Sequence, residues 1–224
     1  MISHPHRCIF VHIPKTGGTS IENMIWPTKD QRSPENLWGG LIDGFRNKYQ
    51  TGALQHLMAR QILTEVGPET FQAYFKFAIV RNPWDRLISQ FTYLTTRPDL
   101  CQYLGMNSGD SLRTYLQLIA TKKHVQWKQQ VAFVSDGEGR SLVDYIGRFE
   151  EFEASVRQIM DRIGLPITTI PHEKQSQRGP YQDYYDSETR DMVAMMYAAD
   201  IEAFGYSFED SPSPRPVESD SVEA

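Results

Sequence analysis

Hydrophobic and polar positions alternate along the chain in two periods. Cys8–Ile13 is a short, branched apolar run with a turn signal behind it, and Phe75–Val80 (FKFAIV) is a second. Runs of this length bounded by turn residues predict buried strands. Val131–Ser135 and Leu142–Phe149 are weaker candidates of the same kind. Between them lie helical spacings. Glu150–Ile163 carries apolar residues at Phe152, Val156, Ile159, Met160 and Ile163, and Ser187–Phe204 places Met192, Met195, Met196 and Ala199 on one stripe read as core packing. A helix is predicted over Thr19–Trp26. Another starts at Asn82-Pro83-Trp84-Asp85, with Asn82 as N-cap, Pro83 in the first position and Asp85 in the first turn, and runs to about Thr96. Buried strands separated by helices predict an α/β fold: a mainly parallel central sheet flanked by helices. Pro27–Gly52 and Arg97–Asp110 show neither period, and long irregular stretches in a compact domain often form binding loops.

Composition narrows the class. At 224 residues, 40% hydrophobic and 23% charged, the chain fits a single globular domain. No apolar run approaches the roughly 18 residues that span a bilayer, and MISHPHR does not read as a secretory signal. Two cysteines, Cys8 and Cys101, make no disulfide framework, so a cytoplasmic protein is expected. Most of the net charge of −5 belongs to the end of the chain, where Glu209, Asp210, Glu218, Asp220 and Glu223 face Arg215 alone. Residues 209–224 therefore read as an acidic, disordered Pro/Ser-containing tail behind one domain of 1–208. The nearly neutral body is a poor nucleic-acid surface.

Two stretches carry chemistry. In HIPKTGGTSIE the glycines Gly17 and Gly18 precede a helix, where backbone N–H groups and the positive dipole end favour an anion. Thr16, Thr19 and Ser20 add hydroxyls and Lys15 a charge. The lysine precedes the glycines, which is not the G-x-x-x-x-G-K-[ST] order of nucleoside-triphosphate loops. A tight strand–helix turn with a surface lysine is the other reading. The second stretch is RNPWDRLISQF. Arg81 stands where a strand ends, and in open α/β sheets ligands bind beyond the carboxyl ends of the strands. Arginine suits a permanent, forked phosphate contact, and Ser89, two turns into the helix, can share it. The competing reading pairs Arg81 and Arg86 with Asp85 on the surface.

Together, with about sixty residues between them, these elements resemble the signature of the sulfotransferases that use 3′-phosphoadenosine 5′-phosphosulfate, particularly the carbohydrate and heparan-sulfate type. Fainter echoes run through VDYIGRFEEFE to YYDSETRDMVAMMYAADIEAFGYSF, so the likeness covers most of the chain to Phe208. The resemblance implies a P-loop-kinase-like sulfotransferase fold. It also implies a 5′-phosphosulfate site at Lys15, Thr16, Gly17, Gly18, Thr19 and Ser20, and a 3′-phosphate site at Arg81 and Ser89. Lys15 would then neutralise the departing bridging oxygen, with no metal required. No acidic residue stands at a strand end in a Mg²⁺ role, which weighs against an ATP-dependent small-molecule kinase. A non-catalytic nucleotide-binding module is the other alternative.

An acceptor hydroxyl must lose its proton, and six histidines are available. His12 ends a strand and reads as packing. His4 and His6 lack the further ligands a metal site needs. The resemblance implies a base at His56, ahead of the 3′-phosphate motif. His124, with Trp127 and Gln130 nearby, is the runner-up. Lys174, Ser176 and Arg178 lie in HEKQSQRGPY, where related enzymes close over the nucleotide, and Arg178 is the chosen contact there. A solvated turn at Gly179-Pro180 is the alternative. The expected acceptor is a hydroxylated metabolite or glycan held by aromatics such as Trp26, Trp38, Tyr49 or Trp127. The lack of a Golgi-type anchor motif fits the cytoplasmic expectation.

Overall fold

The computed structural model describes residues 1–39, 54–94, 96–107, 109–167 and 178–210. Four strands form one sheet: β1 (Ile2–Ser3), β2 (Cys8–Phe10), β3 (Phe75–Val80) and β4 (Tyr145–Arg148), in that spatial order. β2, β3 and β4 are parallel, and β1 adds an antiparallel edge. β3 is central, and its FKFAIV sequence meets that position: Phe77 to Val80 are all within 1% of complete burial, so both faces are covered.

Ten helices flank the sheet among the described residues: α1 (Gly18–Ile25), α2 (Ala59–Val66), α3 (Pro68–Ala73), α4 (Pro83–Leu94), α5 (Pro98–Leu104), α6 (Leu112–Thr121), α7 (Val131–Val134), α8 (Phe152–Arg162), α9 (Ser187–Met196) and α10 (Ala198–Phe204). α1 and α8 pack on one face of the sheet around Phe10, Phe77 and Ile79. On the other, Val11, Ala78 and Val80 meet α2. A third apolar cluster joins α4, α6 and α9.

Several predicted elements are corrected. Val131–Ser135 is not a strand: its four apolar residues form α7, because the buried Asp200 carboxylate accepts from the Gln130 and Val131 N–H groups at 2.8 Å each and caps the turn. The Ser187–Phe204 helix breaks at Tyr197. Its buried line is Thr189, Val193, Tyr197 and Asp200; Met192 and Met196 pack half-buried beside it, while Met195, 74% exposed, and Ala199 face outward, so only part of the predicted stripe is core. α4 ends at Leu94, where Thr96 turns back onto the Tyr93 carbonyl. Arg97–Asp110 is not irregular, since it contains α5, whose Leu100 and Leu104 are buried. The second half of Pro27–Gly52, residues 40–52, and the tail from Ser211 lie outside the described residues, as do Tyr49, Lys174 and Ser176. Among the described residues no helix is long and apolar enough to cross a membrane.

Candidate active site

The chain leaves β2 through His12-Ile13-Pro14 and reverses over Lys15 (φ 68°) and Gly17 (φ 81°), both left-handed. A non-glycine residue in that region carries strain that the surroundings must hold. Thr16, fully buried, donates its hydroxyl to the Ile13 carbonyl at 2.9 Å and so closes the turn. The geometry spends this hydroxyl on the loop's own shape. Gly17 is required twice over, because a Cβ there would sit 2.8 Å from the Phe152 ring. α1 starts at Gly18, with Thr19 half-buried and Ser20 buried in its first turn. The Lys15 ammonium lies 4.0 Å from the centroid of the Tyr93 ring on α4.

The second motif comes off the end of β3 beside this loop. Asn82 caps α4, its side-chain oxygen accepting from Trp84 N–H at 3.1 Å. Arg81 is 7% exposed. Its Nη1 donates to the Lys15 carbonyl at 3.1 Å, its Nε to Asp85 Oδ2 at 2.7 Å, and its guanidinium plane lies 3.9 Å over the Phe149 ring. Gln130 clamps the Arg81 main chain from both sides, accepting its N–H at 2.9 Å and donating to its carbonyl at 2.7 Å. Arg178 pairs with the other Asp85 oxygen, so one carboxylate holds both arginines. Burial works against the Asp85 charge, yet Arg81 and Arg178 hold its carboxyl below the usual range. The Arg81–Asp85 pairing anticipated on the surface therefore exists, but buried. Ser89 is half-buried on the same helix. Arg86 is not the surface partner of Asp85 that the competing reading supposes: 1% exposed, it donates to the carbonyls of Pro14 (3.0 Å), Lys128 (2.9 Å) and Gln126 (3.2 Å).

The sequence profile of the Sulfotransferase family matches residues 1–207. The chain belongs to that family. An uncharacterized protein of Archaeoglobus fulgidus is 26% identical over 108 residues, which are 48% of this chain and 82% of that protein. A crystal structure of a sulfotransferase from Alicyclobacillus acidocaldarius aligns with 90% of this chain and 94% of its own, at 16% identity and a TM-score of 0.47.

The histidines of this sulfotransferase separate by hydrogen bonding. His56 follows Gln55 in a short 3₁₀ turn (Leu54–His56), and its Nδ1 lies 3.2 Å from the His12 carbonyl oxygen. A carbonyl only accepts, so Nδ1 carries the proton and the neutral ring keeps its lone pair on Nε2. Burial first, then the charge of His12, holds His56 well below 6.5. His124 is the reverse case. Its Nδ1 accepts from Gln126 N–H at 3.2 Å, which leaves the proton of the neutral ring on Nε2. Its ring lies tilted, 4.9 Å from Trp127 and 5.8 Å from Tyr103, and burial lowers it too. Trp26 is buried and donates to the Ile2 carbonyl, so it is a core residue rather than a ligand surface. Trp127 is likewise buried, with Nε1 on the Lys122 carbonyl at 2.6 Å. Among the described residues no group of three or more His, Cys, Asp or Glu side chains gathers as a metal site.

Proposed function

We propose that this sulfotransferase moves the sulfuryl group of 3′-phosphoadenosine 5′-phosphosulfate to a hydroxyl of a carbohydrate or other small hydroxylated metabolite. The observation that carries the reading is the bond between Arg81 and the Lys15 carbonyl, which fuses the two anion-binding elements into one unit at the ends of β2 and β3. A donor with phosphate at both the 3′ and 5′ positions needs two such elements at fixed separation. The residues fit that donor. The loop at Gly17-Gly18 brings backbone to a helix N-terminus, and Arg81 and Arg178 supply two buried forks against the single Asp85 charge.

Bound there, the donor supplies an activated sulfuryl group. Lys15, Gly17, Gly18, Thr19 and Ser20 hold its 5′ end, with Thr16 shaping the loop, and Arg81, Ser89 and Arg178 hold its 3′-phosphate. Lys15 offsets the charge that builds on the departing oxygen. His56 Nε2 takes the acceptor proton, because its tautomer presents a lone pair where His124 presents an N–H. The domain spans 1–208, and the two free cysteines are consistent with a reducing, cytoplasmic setting.

Calorimetric titration tests the reading, with adenosine 3′,5′-bisphosphate run beside adenosine 5′-monophosphate and ATP with Mg²⁺. Metal-independent preference for the bisphosphate is expected. Preference for ATP with Mg²⁺, or no binding of the bisphosphate, would return a kinase or a binding module to the front.

A further inference from the structure

His12 touches both halves of this site. Its main-chain carbonyl accepts the His56 Nδ1 proton at 3.2 Å. Its ring lies 4.7 Å from the His56 ring on one side and is stacked 5.2 Å from Phe10 on the other. A third contact is with the donor loop. A Cβ built on Gly18 would fall 2.0 Å from His12 Nε2, so the ring abuts the first residue of α1. Gly18 has no left-handed backbone, so it is the space and not the conformation that demands glycine there.

From the next turn of α1, Glu22 brings a carboxylate to the same ring. Its Oε1 is 2.8 Å from His12 Nδ1, an ion-pair distance without hydrogen-bond alignment, and both side chains are under 10% exposed. A buried carboxylate needs a counter-charge. The N-terminal amine of Met1 faces Glu22 as well, but burial pulls that amine down to about 5, so at neutral pH it is uncharged. That leaves the His12 ring as the group that faces the carboxylate at contact distance.

We propose that His12, held by Glu22, is the positioning residue that couples the donor loop to the base: it props α1 beneath Gly18 and fixes the ring and tautomer of His56. This rests on the assignment of His56 and the loop given above. His12 does not meet the reacting atoms. It sets the distance between the groups that do, and it opposes a charge on His56, which keeps that ring in its proton-accepting form. The groups facing His56 are His12 beyond β2, His124 ahead of the Val125–Trp127 turn and the Met1 amine at β1; the first two oppose a charge on it, and the amine does so only at acid pH, where it is itself protonated.

Long-range imidazole ¹H–¹⁵N spectra of the full chain read His56 without any acceptor. In the unaltered protein Nδ1 should carry the proton. In Glu22→Gln the carboxylate that holds the His12 ring is lost, so the opposition of His12 to a charge on His56 should weaken and the His56 titration should move up by about half a unit or more. A titration unmoved within about 0.2 units would overturn the coupling. A second pair covers the case in which that variant does not fold. Gly18→Ala should weaken adenosine 3′,5′-bisphosphate binding by about tenfold, and adding His12→Ala should recover at least about threefold by removing the ring the new methyl strikes. No recovery would also overturn it. Failure of the unaltered chain to bind the bisphosphate would instead sink the donor assignment, while the His56 spectra would still decide the role of His12.

Discussion

Arg81 donates through Nη1 to the main-chain carbonyl of Lys15 at 3.1 Å, across 66 residues of sequence. Each motif is thus part of the other's support. The left-handed Lys15 is held from its carbonyl side by the same guanidinium that faces Asp85 and Arg178, so the lysine and the arginine forks are placed by one set of bonds.

Arg81→Ala should therefore act on binding first. The expected loss of affinity for adenosine 3′,5′-bisphosphate is about tenfold or more, because a charge-assisted fork is removed and Asp85 keeps only Arg178. Affinity for adenosine 5′-monophosphate, which lacks the 3′-phosphate, should change much less. Equal losses for both nucleotides in calorimetry would mean that Arg81 serves the loop alone.

Lys15→Ala has the opposite emphasis. The Ala variant can adopt the same left-handed turn at similar cost, so the loop survives, while the ammonium over Tyr93 is lost. Turnover should fall by about 10²–10³-fold with bisphosphate affinity reduced only a few-fold, the pattern of a group that acts on developing charge. Sulfate release from the donor, compared with calorimetry, separates the two. A pure binding module would show the affinity change alone.

Much of this arrangement is local and therefore visible in sequence. β3 is readable because five of its six residues, all but Lys76, are apolar and meet the needs of a central parallel strand, and α4 because Asn82-Pro83 begins it with the expected cap. The loop of Lys15 to Ser20 is readable for the same reason. What failed lacked a local signal. VAFV has the same pattern as a short strand and becomes a helical turn only because Asp200, 70 residues away, caps it. Gln130 clamps Arg81 over 49 residues, and Arg86 crosses 72 to reach Pro14. His12 was read as packing, and its ring does pack. Its carbonyl bond to His56 involves an atom that every residue possesses, so no residue type announces it.

The His56 environment makes a pH prediction with a definite sign. Burial, and after it the charge of His12, lowers its folded pKa well below 6.5, while the unfolded chain titrates near 6.5. Between these two values the unfolded state binds the extra proton, so stability rises with pH there. The contribution is complete above about 6.5 and is lost as pH falls from 6.5 toward the folded value. The base form persists over the same window, so the acid limb of kcat/KM should lie below pH 6.5. His56→Gln should remove that limb, lower turnover by about 10²-fold or more and flatten the fall of Tm with acid. An acid limb that survives the substitution would move the base elsewhere.

Arg86 offers the test of how far placement depends on a buried tie. Its guanidinium serves three carbonyls from two segments, Pro14 in the donor loop and Gln126 and Lys128 in the turn beside His124. Among the described residues it makes no ion pair at contact distance, so its worth lies in those bonds and in the filled space. Lysine carries the charge but has one compact ammonium where the guanidinium is a planar fork, and it cannot reach all three oxygens. Arg86→Lys should cost roughly 2–4 kcal/mol in urea unfolding, since buried carbonyls are left without donors. Because Pro14 precedes the strained Lys15, the same variant should weaken bisphosphate binding in material that is still folded at low temperature. Arg86→Met, of similar bulk without donors, separates the two contributions. If it matched the unaltered chain in stability and affinity, the three bonds would be incidental and the loop would be held by Arg81 and Thr16 instead.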